Sequence, residues 1–219
     1  MKIVIGSASM AKKRYFEEYF KDYDCEFVLG KDLGIEEPVE YGATSYENAL
    51  IKARHYSQRS GLSAIALDSS ILFLDYPYDD PIQAGSHVKS PQGKGLSPIE
   101  MKDYYQQLAH EHGGRLRSAW IDAYALVGNN FEYCRDFKDV SEDQSFYLCD
   151  ENHEKFIASQ PLDSISKNLA GVFYYDLDDL DEKSLLIKDE HDQSKYQLFI
   201  REVICEMAGL LKLRKRGNI

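Results

Sequence analysis

The chain has 219 residues, of which 43% are hydrophobic and 12% aromatic, and its formal net charge is −11 at pH 7. This composition predicts a folded globular protein with a substantial core and excludes a disordered chain. Nonspecific nucleic-acid binding needs a basic surface, so we expect no nucleic-acid partner. No apolar run reaches the roughly 18 residues that span a bilayer, and a signal-peptide pattern is absent, so we expect no membrane partner and a cytoplasmic location.

The chain opens with a predicted strand, a small-residue turn and a helix. Lys2–Ile5 is a short apolar run, Gly6–Ser9 is polar, and Met10–Phe20 carries Phe16 and Phe20 one helical turn apart. This layout is typical of phosphate-binding loops, because free backbone N–H groups and the helix dipole face an anion. The alternative is an ordinary strand–helix connection, since the turn lacks a glycine-rich fingerprint.

The next predicted elements surround one acidic residue. Cys25–Leu29 is typical of a second strand, and a second helix begins near Thr44. Two strand pieces, Ser63–Leu67 and Ile71–Leu74, flank Asp68, so we expect the first piece to end at this carboxylate. Such a position matters because ligands collect at the carboxyl ends of strands in α/β proteins.

The remaining chain predicts two further helices and several strands. Ser97-Pro98-Ile99-Glu100 is a capping box with proline at the first helical position, and His112-Gly113-Gly114 marks the end of that third helix. The last helix, from Tyr196 to Leu211, has the clearest helical spacing. Tyr76–Leu96 predicts a long exposed loop, and Trp120–Val127 with Phe131–Phe137 predicts a hairpin. Further strands are predicted at Phe146–Cys149 and Gly171–Leu177. The last of these runs into the acidic stretch Asp176–Glu182.

Glu47, Lys52 and Asp68 form the candidate chemical site. Two carboxylates can hold a metal ion, and a cation can neutralise a polyphosphate. Glu47 has a structural alternative, since Thr44-Ser45-Tyr46-Glu47 is a capping box in which Glu47 binds the Thr44 N–H. Asp68 could instead cap a turn. Lys52 lies five residues after Glu47, so periodicity leaves open whether it faces the site or solvent.

A second cationic segment lies at the start of the first helix. Lys12, Lys13 and Arg14 occupy its first turns, where positive charge opposes the helix dipole. An anion bound nearby would account for this placement. The alternative, for at least two of the three, is a solvated helix face.

Together these residues resemble the inosine triphosphate pyrophosphatase family, which hydrolyses deaminated purine nucleoside triphosphates to a monophosphate and pyrophosphate. The similarity is strongest in the second helix and covers most of the chain in order and spacing. The matching segments are Gly42, Thr44, Glu47-Asn48-Ala49 and Lys52-Ala53, similar to G-x-T-F-x-E-N-A-x-x-K-A; Ala64–Ser69, similar to a strand ending in D-D-S-G; Ile3–Lys12, similar to the opening strand and S/T-x-N-x-G-K loop; and Phe173-Tyr174-Tyr175-Asp176, similar to F-G-Y-D.

The sequence departs from the family pattern at defined positions. Leu67 replaces the first aspartate of D-D-S-G, and Ser194-Lys195-Tyr196 stands where the family has the base-reading S-H-R. The phosphate and metal groups are mostly retained, whereas purine recognition is changed, which predicts an altered base specificity. The smaller departures are Ser70 for glycine, Ser9 and Ala11 for asparagine and glycine, and Ser45 for phenylalanine.

The resemblance implies a long mixed β-sheet flanked by helices, two lobes with a central nucleotide cleft, and a single domain over residues 1–219. It implies a Mg²⁺-dependent nucleoside triphosphate pyrophosphohydrolase that releases pyrophosphate and a nucleoside monophosphate and acts as a homodimer. Asp68 would activate water and, with Glu47, bind Mg²⁺, whereas Lys12 and Lys52 would neutralise the triphosphate. The implied substrate-binding residues are Ser7, Ser9, Ser69, Phe173, Asp176 and Lys195.

Two alternatives of other kinds stay open. A non-catalytic nucleotide-binding or partner-binding homologue would account for Leu67 and for the changed S-H-R segment. A Maf-type pyrophosphatase would share the architecture, and Ser7-Ala8-Ser9 followed by Lys12-Lys13-Arg14 resembles its opening. The Glu47-Asn48-Ala49 block favours the first family.

Overall fold

The computed structural model describes residues 1–91, 93–137, 140, 144–177 and 195–217. The chain divides into two compact units. The first consists of Met1–Ser69, Asp122–Lys138 and Tyr196–Ile219, and the second of Ser70–Ile121 and Asp139–Lys195. Within the described residues, no helix is both long and apolar enough to cross a membrane.

Helices and strands are mixed along the chain, and the strands form a sheet in the order β2-β1-β3-β4-β6-β7, with β5 paired to β4. The predicted α/β class, with a mixed sheet flanked by helices, is therefore confirmed. The strands are β1 (Lys2–Ile5), β2 (Glu26–Leu29), β3 (Ala64–Phe73), β4 (Arg115–Gly128), β5 (Phe131–Asp136), β6 (Ser145–Cys149) and β7 (Ser166–Lys167). The helices are α1 (Met10–Tyr19), α2 (Ser45–Ser60), α3 (Pro98–Glu111), α4 (Tyr174–Leu177) and α5 (Lys195–Leu210). Two 3₁₀ turns lie at Gly30–Leu33 and Pro161–Ile165.

In the first unit, parallel and antiparallel pairings combine. Strand β1 pairs in parallel with β2, where Ile3 faces Phe27, and with β3, where Ile5 faces Ile65. The C-terminal half of β4 pairs antiparallel with β5, with Ala125 opposite Cys134. This antiparallel pair is the predicted hairpin.

Alternating side chains give the first unit two packed layers. Leu67 of β3 and Tyr124 of β4 belong to a large core that includes Phe16 of α1 and Val203 of α5. On the opposite parity, small residues form an alanine layer beneath α2. Its members are Ala66 on β3, Ala123 and Ala125 on β4, and Ala49 and Ala53 on α2. Small side chains on both surfaces let the α2 backbone approach the strands closely.

The second unit has its own core. The N-terminal half of β4 pairs antiparallel with β6, and β6 pairs antiparallel with β7. Helix α3 begins at the predicted capping box, with Ser97 and Glu100 bonding each other's backbone N–H groups. The core combines residues from the strands, α3 and the second 3₁₀ turn: Ile71, Phe73, Met101, Tyr105, Leu116, Phe146, Leu148, Leu162 and Ile165.

Three predictions about the elements are wrong. The pieces Ser63–Leu67 and Ile71–Leu74 form one strand, β3, because Asp68–Ser70 continue it without a break. Gly171–Leu177 is not a strand, since its second half is the short helix α4. The loop Tyr76–Leu96 lacks a helix or strand in its described part, yet it is not wholly exposed, because Val88 is buried in the second core. The acidic stretch Asp176–Glu182 lies outside the described residues from position 178 onward.

Gly30 is required where the first 3₁₀ turn meets α2. A Cβ atom built on Gly30 would lie 1.9 Å from Cε1 of Tyr56. The Tyr56 side chain is itself fully buried, so its ring has no free space into which it could move. Even one methyl group at position 30 therefore forces a rearrangement of this corner.

We predict that Gly30→Ala lowers the free energy of unfolding by about 1–3 kcal/mol, because overpacking displaces the buried Tyr56 ring. The matched control is Gly209→Ala in α5, where an added Cβ meets nothing within 4 Å. There the same substitution should raise the free energy of unfolding by roughly 0.5 kcal/mol through helix propensity. Urea denaturation measures both variants, and equal stability of the two would contradict the packing argument.

Candidate functional site

A buried ion pair joins α2 to β3 in the first unit. Lys52 Nζ lies 2.5 Å from Asp68 Oδ1 and 2.9 Å from Glu40 Oε2. The side chains of Lys52 and Asp68 are only 11% and 9% exposed. Lys52 follows Ala49 along α2, and Asp68 follows Ala66 along β3, so the pair continues the alanine layer. The structure therefore answers the question that periodicity left open, because Lys52 faces Asp68.

The pKa of Lys52 reflects two opposing influences. Burial lowers this pKa, but the Asp68 and Glu40 carboxylates favour the ammonium form and more than compensate. The net result is a pKa above the usual value for lysine. Lys52 is therefore a fixed positive charge at neutral pH.

Asp68 does not lie at a strand end, as the sequence analysis expected. It lies in the middle of β3, which continues to Phe73. The alternative that Asp68 caps a turn is wrong for the same reason. Successive side chains of β3 point to opposite faces of the sheet. Leu67 therefore faces the core, and Asp68 faces Lys52.

The turn between β1 and α1 carries the second group of predicted residues. Lys12 Nζ donates a hydrogen bond to the Leu67 carbonyl oxygen at 2.7 Å, which attaches the start of α1 to β3. Ser9 is the N-cap of α1 and accepts from the Lys12 N–H, and Ser7 Oγ accepts from the Ser9 N–H at 3.1 Å. The Ala8 N–H donates to Glu37 Oε1 at 2.9 Å. This turn thus presents a backbone N–H that already binds an oxygen anion.

Glu47 has the structural role that the sequence left as an alternative. Its Oε2 atom accepts from the N–H groups of Ala43 at 2.7 Å and Thr44 at 3.3 Å, which completes a capping box at the start of α2. The side chain is exposed. The hydrogen bonds that Glu47 accepts from Ala43 and Thr44 both use the same carboxylate oxygen, Oε2.

Asp122 is a site residue that the sequence analysis missed. Ser69 Oγ donates to Asp122 Oδ1 at 2.5 Å, and the Tyr196 hydroxyl donates to Asp122 Oδ2. Hydroxyl contacts extend this network from Tyr196 to Tyr124 at 3.3 Å and from Tyr124 to Tyr15 at 2.5 Å. One sequence signal was available, since Asp122 is the only charged residue in the apolar run Trp120–Val127.

Burial dominates the electrostatics of this network. It raises the pKa of Asp122, although the hydrogen bonds from Ser69 and Tyr196 and the charge of Lys12 lower that pKa in part. Burial also raises the pKa values of Tyr15, Tyr124 and Tyr196 above the usual tyrosine range. Their phenols therefore stay protonated and act as hydrogen-bond donors.

Three of the predicted substrate-binding residues belong to the second unit. The Phe173 ring lies 4.4 Å from Lys167 Nζ, in a cation–π contact. His153 contacts both Phe173 and Asp176. Its ring packs against the Phe173 ring, and its Nε2 atom lies 3.0 Å from Asp176 Oδ1. Lys195 is exposed and begins α5. The predicted roles of Phe173, Asp176 and Lys195 stay predictions.

The carboxylate oxygens of the first unit are of the type that binds Mg²⁺ when substrate oxygens and water complete its coordination. No group of three or more His, Cys, Asp or Glu side chains that could hold a metal occurs among the described residues. Mg²⁺ in phosphate-handling sites commonly uses only one or two carboxylates together with substrate oxygens and water. Asp68 and Glu47 each carry hard oxygens of this type, and their pairing as magnesium ligands stays a prediction.

The fold and these contacts define an α/β protein whose first unit pairs its own carboxylates with a backbone N–H and a buried lysine. Residues 3–79 match the sequence model of the Ham1 family. The structure of a HAM1 protein from Coxiella burnetii aligns with a TM-score of 0.63 at 18% identity, over 94% of this chain and 99% of that one. The chain is therefore similar to the Ham1 family in sequence over residues 3–79 and similar in fold to a HAM1 protein over nearly its whole length.

Named relatives are similar over part of their length. A dITP/XTP pyrophosphatase of Halorhodospira halophila is 46% identical over 71 residues, which are 32% of this chain and 36% of that protein. A dITP/XTP pyrophosphatase of Bordetella parapertussis is 29% identical over 133 residues, which are 61% of this chain and 62% of that protein. The chain thus matches less than two thirds of the length of these relatives.

We predict that stability falls above about pH 10, the usual tyrosine pKa, because the unfolded chain then releases phenol protons that the folded chain retains. Tyr124→Phe should reduce this slope by up to about 1.4 kcal/mol per pH unit, since it removes one such proton. The control is Tyr78→Phe, whose ring is exposed. Urea denaturation between pH 8 and 11 measures the slopes. Identical slopes in the two variants would show that Tyr124 does not titrate in this way.

Proposed function

We propose that this protein is a Mg²⁺-dependent nucleoside triphosphate pyrophosphohydrolase. Water attacks the α-phosphorus, the bond to the β-phosphate breaks, and pyrophosphate and a nucleoside monophosphate leave. The names of the Halorhodospira and Bordetella relatives, dITP/XTP pyrophosphatases, support this reaction. Residues 1–219 would serve as one functional domain, in a cytoplasmic homodimer.

One observation carries the proposal. Glu37 and Glu40, in the acidic loop that precedes α2, bind two groups that a polyphosphate would need. Glu37 binds the Ala8 N–H at 2.9 Å, and Glu40 binds the Lys52 ammonium at 2.9 Å. Carboxylate and phosphate oxygens make the same charge-assisted hydrogen bonds. We infer that the two glutamates stand where phosphate oxygens bind, so both donors are anion-binding groups by their observed contacts.

The lysines and Asp68 have separate parts in the proposed reaction. Lys52 lies against Asp68 and would hold that carboxylate in the orientation in which it accepts a proton from the attacking water. Lys12 reaches β3 at the Leu67 carbonyl, one residue before Asp68, and would neutralise charge on the phosphate chain from there. Ser7, Ser9 and Ser69 would contribute hydroxyl groups around the same phosphates.

Charge balance supports the need for a divalent cation. Two carboxylates, Asp68 and Glu40, already offset the charge of Lys52. A triphosphate brings several more negative charges into this partly buried region, where screening by solvent is weak. Mg²⁺, held by Asp68 and Glu47, would supply the missing positive charge and polarise the phosphate oxygens.

An altered base specificity is the finer part of the proposal. Tyr196 stands where the family pattern has arginine, and its hydroxyl is bonded to Asp122 rather than presented as a cationic fork. Lys195 stands where the pattern has histidine. A guanidinium that can bind a purine carbonyl in a bidentate way is therefore missing from this segment, so we infer that the preferred base differs from the family's.

We predict that a panel of nucleoside triphosphates, including deaminated purines, contains at least one that releases pyrophosphate in the presence of Mg²⁺. Asp68→Asn should lower kcat for that substrate by at least about a hundredfold, because it removes the proton acceptor and a metal ligand. The control, Asp32→Asn, changes an exposed carboxylate in the first 3₁₀ turn and should leave kcat unchanged.

The same experiment separates the enzyme from a non-catalytic homologue. A nucleotide that raises the melting temperature without any release of pyrophosphate would favour a binding protein, for which the loss of an acid at Leu67 already argues. Full activity of Asp68→Asn would contradict the mechanism while leaving the reaction in place. Silence of the whole panel in both assays would overturn the proposal.

We predict that Glu40→Gln strengthens nucleotide binding. A neutral amide competes less well than a carboxylate for the Lys52 ammonium, so the phosphate chain meets less resistance and KM should fall about threefold to tenfold. The matched control is Glu36→Gln, an exposed position in the same loop. Steady-state kinetics on the best nucleotide of the panel measures both variants. A higher KM in Glu40→Gln would mean that Glu40 assists the substrate instead of competing with it.

A further inference from the structure

An acid is missing from β3 where the family pattern has one. Leu67 occupies that position, and its side chain is 8% exposed within the large core of the first unit. Only its carbonyl oxygen takes part in the site, as the acceptor for Lys12. Position 67 therefore contributes a backbone dipole but no carboxylate to the charge around Lys12.

Asp122 of β4 lies on the same face of the sheet as the Leu67 side chain. Tyr124 and Leu126 of β4 lie in the same core as Leu67, and Asp122 precedes Tyr124 by two residues, so it points the same way. Ser69 follows Leu67 by two residues on β3, and its hydroxyl reaches Asp122 at 2.5 Å. The carboxylate on β4 thus lies beside the segment of β3 from which the acid is missing.

The charges of the candidate site act on Asp122 directly. The Lys12 ammonium favours the charged form of Asp122, whereas the Asp68 carboxylate opposes it. The contacts agree, because Asp122 bonds Ser69, the residue after Asp68, and Lys12 bonds the carbonyl oxygen of Leu67, two residues before Ser69.

Other elements fix the position of Asp122 from behind. The Tyr196 hydroxyl, from the first turn of α5, donates to its second oxygen, so both carboxylate oxygens are bonded. The Tyr196 ring packs edge-to-face against Phe137 at 5.4 Å between centroids. Tyr124 and Tyr15 extend the hydroxyl network into the core. Both carboxylate oxygens and the surrounding rings therefore restrict Asp122 to one orientation.

We propose that Asp122 is a positioning residue of the reaction, which supplies from β4 the carboxylate that β3 lacks at position 67 and aligns the Lys12 ammonium and the Ser69 hydroxyl with the phosphate chain. This inference rests on the proposed function. It adds a residue that acts through Lys12 and Ser69 and need not touch the substrate. It also links two departures from the family pattern, Leu67 and Tyr196, through one side chain.

The test is a double-mutant cycle on kcat/KM for the best nucleotide of the panel. Asp122→Asn should lower kcat/KM at least about tenfold in the wild-type background, mainly through kcat. In a Lys12→Gln background the same change should cost less than about threefold, because the group that Asp122 positions is already gone. The control cycle with Lys52→Gln should be additive, since Lys52 contacts Asp68 and Glu40 instead.

A purely structural role for Asp122 gives a different pattern. It would lower the melting temperature and reduce activity by the same factor in the wild-type, Lys12→Gln and Lys52→Gln backgrounds, and that result would overturn the inference. If Asp122→Asn does not fold, Tyr196→Phe replaces it in the cycle, with an expected loss of about threefold that vanishes in Lys12→Gln. Tyr133→Phe, which removes a hydroxyl bonded to Glu206, is the matched control and should leave activity unchanged.

The outcomes distinguish this inference from the function on which it rests. An inactive wild-type protein across the nucleotide panel would refute both. An active wild-type protein with additive effects of Asp122→Asn and Lys12→Gln would refute the positioning role alone. Non-additivity with Lys12 and additivity with Lys52 would support both.

Discussion

The contact between Lys52 and Asp68 is the interaction on which the candidate site depends. Burying charges with so little exposure is costly unless they are paired, and here the Lys52 ammonium is paired with the Asp68 carboxylate and also with Glu40. The alanine layer makes the contact possible, since small side chains at Ala49, Ala53 and Ala66 bring α2 against β3. Packing and chemistry are therefore coupled, because a larger residue in this layer would separate the charged pair as well as the backbones.

The start of α2 shows how one segment serves both stability and the proposed chemistry. Glu47 caps the helix through one oxygen, and capping fixes the register that places Lys52, five residues later, opposite Asp68. The structural and functional explanations of Glu47 are thus compatible, because a carboxylate has two oxygens and the cap uses one. The acidic loop before α2 then closes on Lys52 through Glu40, so that polyphosphate binding becomes an exchange of one anion for another.

Local signals predicted most elements but not the strand that matters most. Capping boxes and apolar periodicity identified α2, α3 and α5, since these depend on neighbours within four residues. The break expected in β3 was wrong because Asp68, Ser69 and Ser70 are poor strand formers by composition, and their pairing with other strands overrides that preference. The sequence grouped Lys52 with Asp68 but left open whether Lys52 faces it, and the contacts of Asp122 were out of reach, because both depend on which elements pack together, and that information is not local.

The network around Asp122 explains how this chain can differ from the family pattern at several positions at once. In the proposed reaction, leucine at position 67 requires that another residue carry the acid, and a tyrosine at position 196 needs an acceptor for its hydroxyl once it is buried. Asp122 meets both requirements, since one oxygen binds Ser69 on β3 and the other binds Tyr196 on α5. Replacing Asp122 or Tyr196 alone would leave the polar group of the other without this partner. We therefore expect the three positions to function as a set, so that the site is rebuilt and not merely degraded.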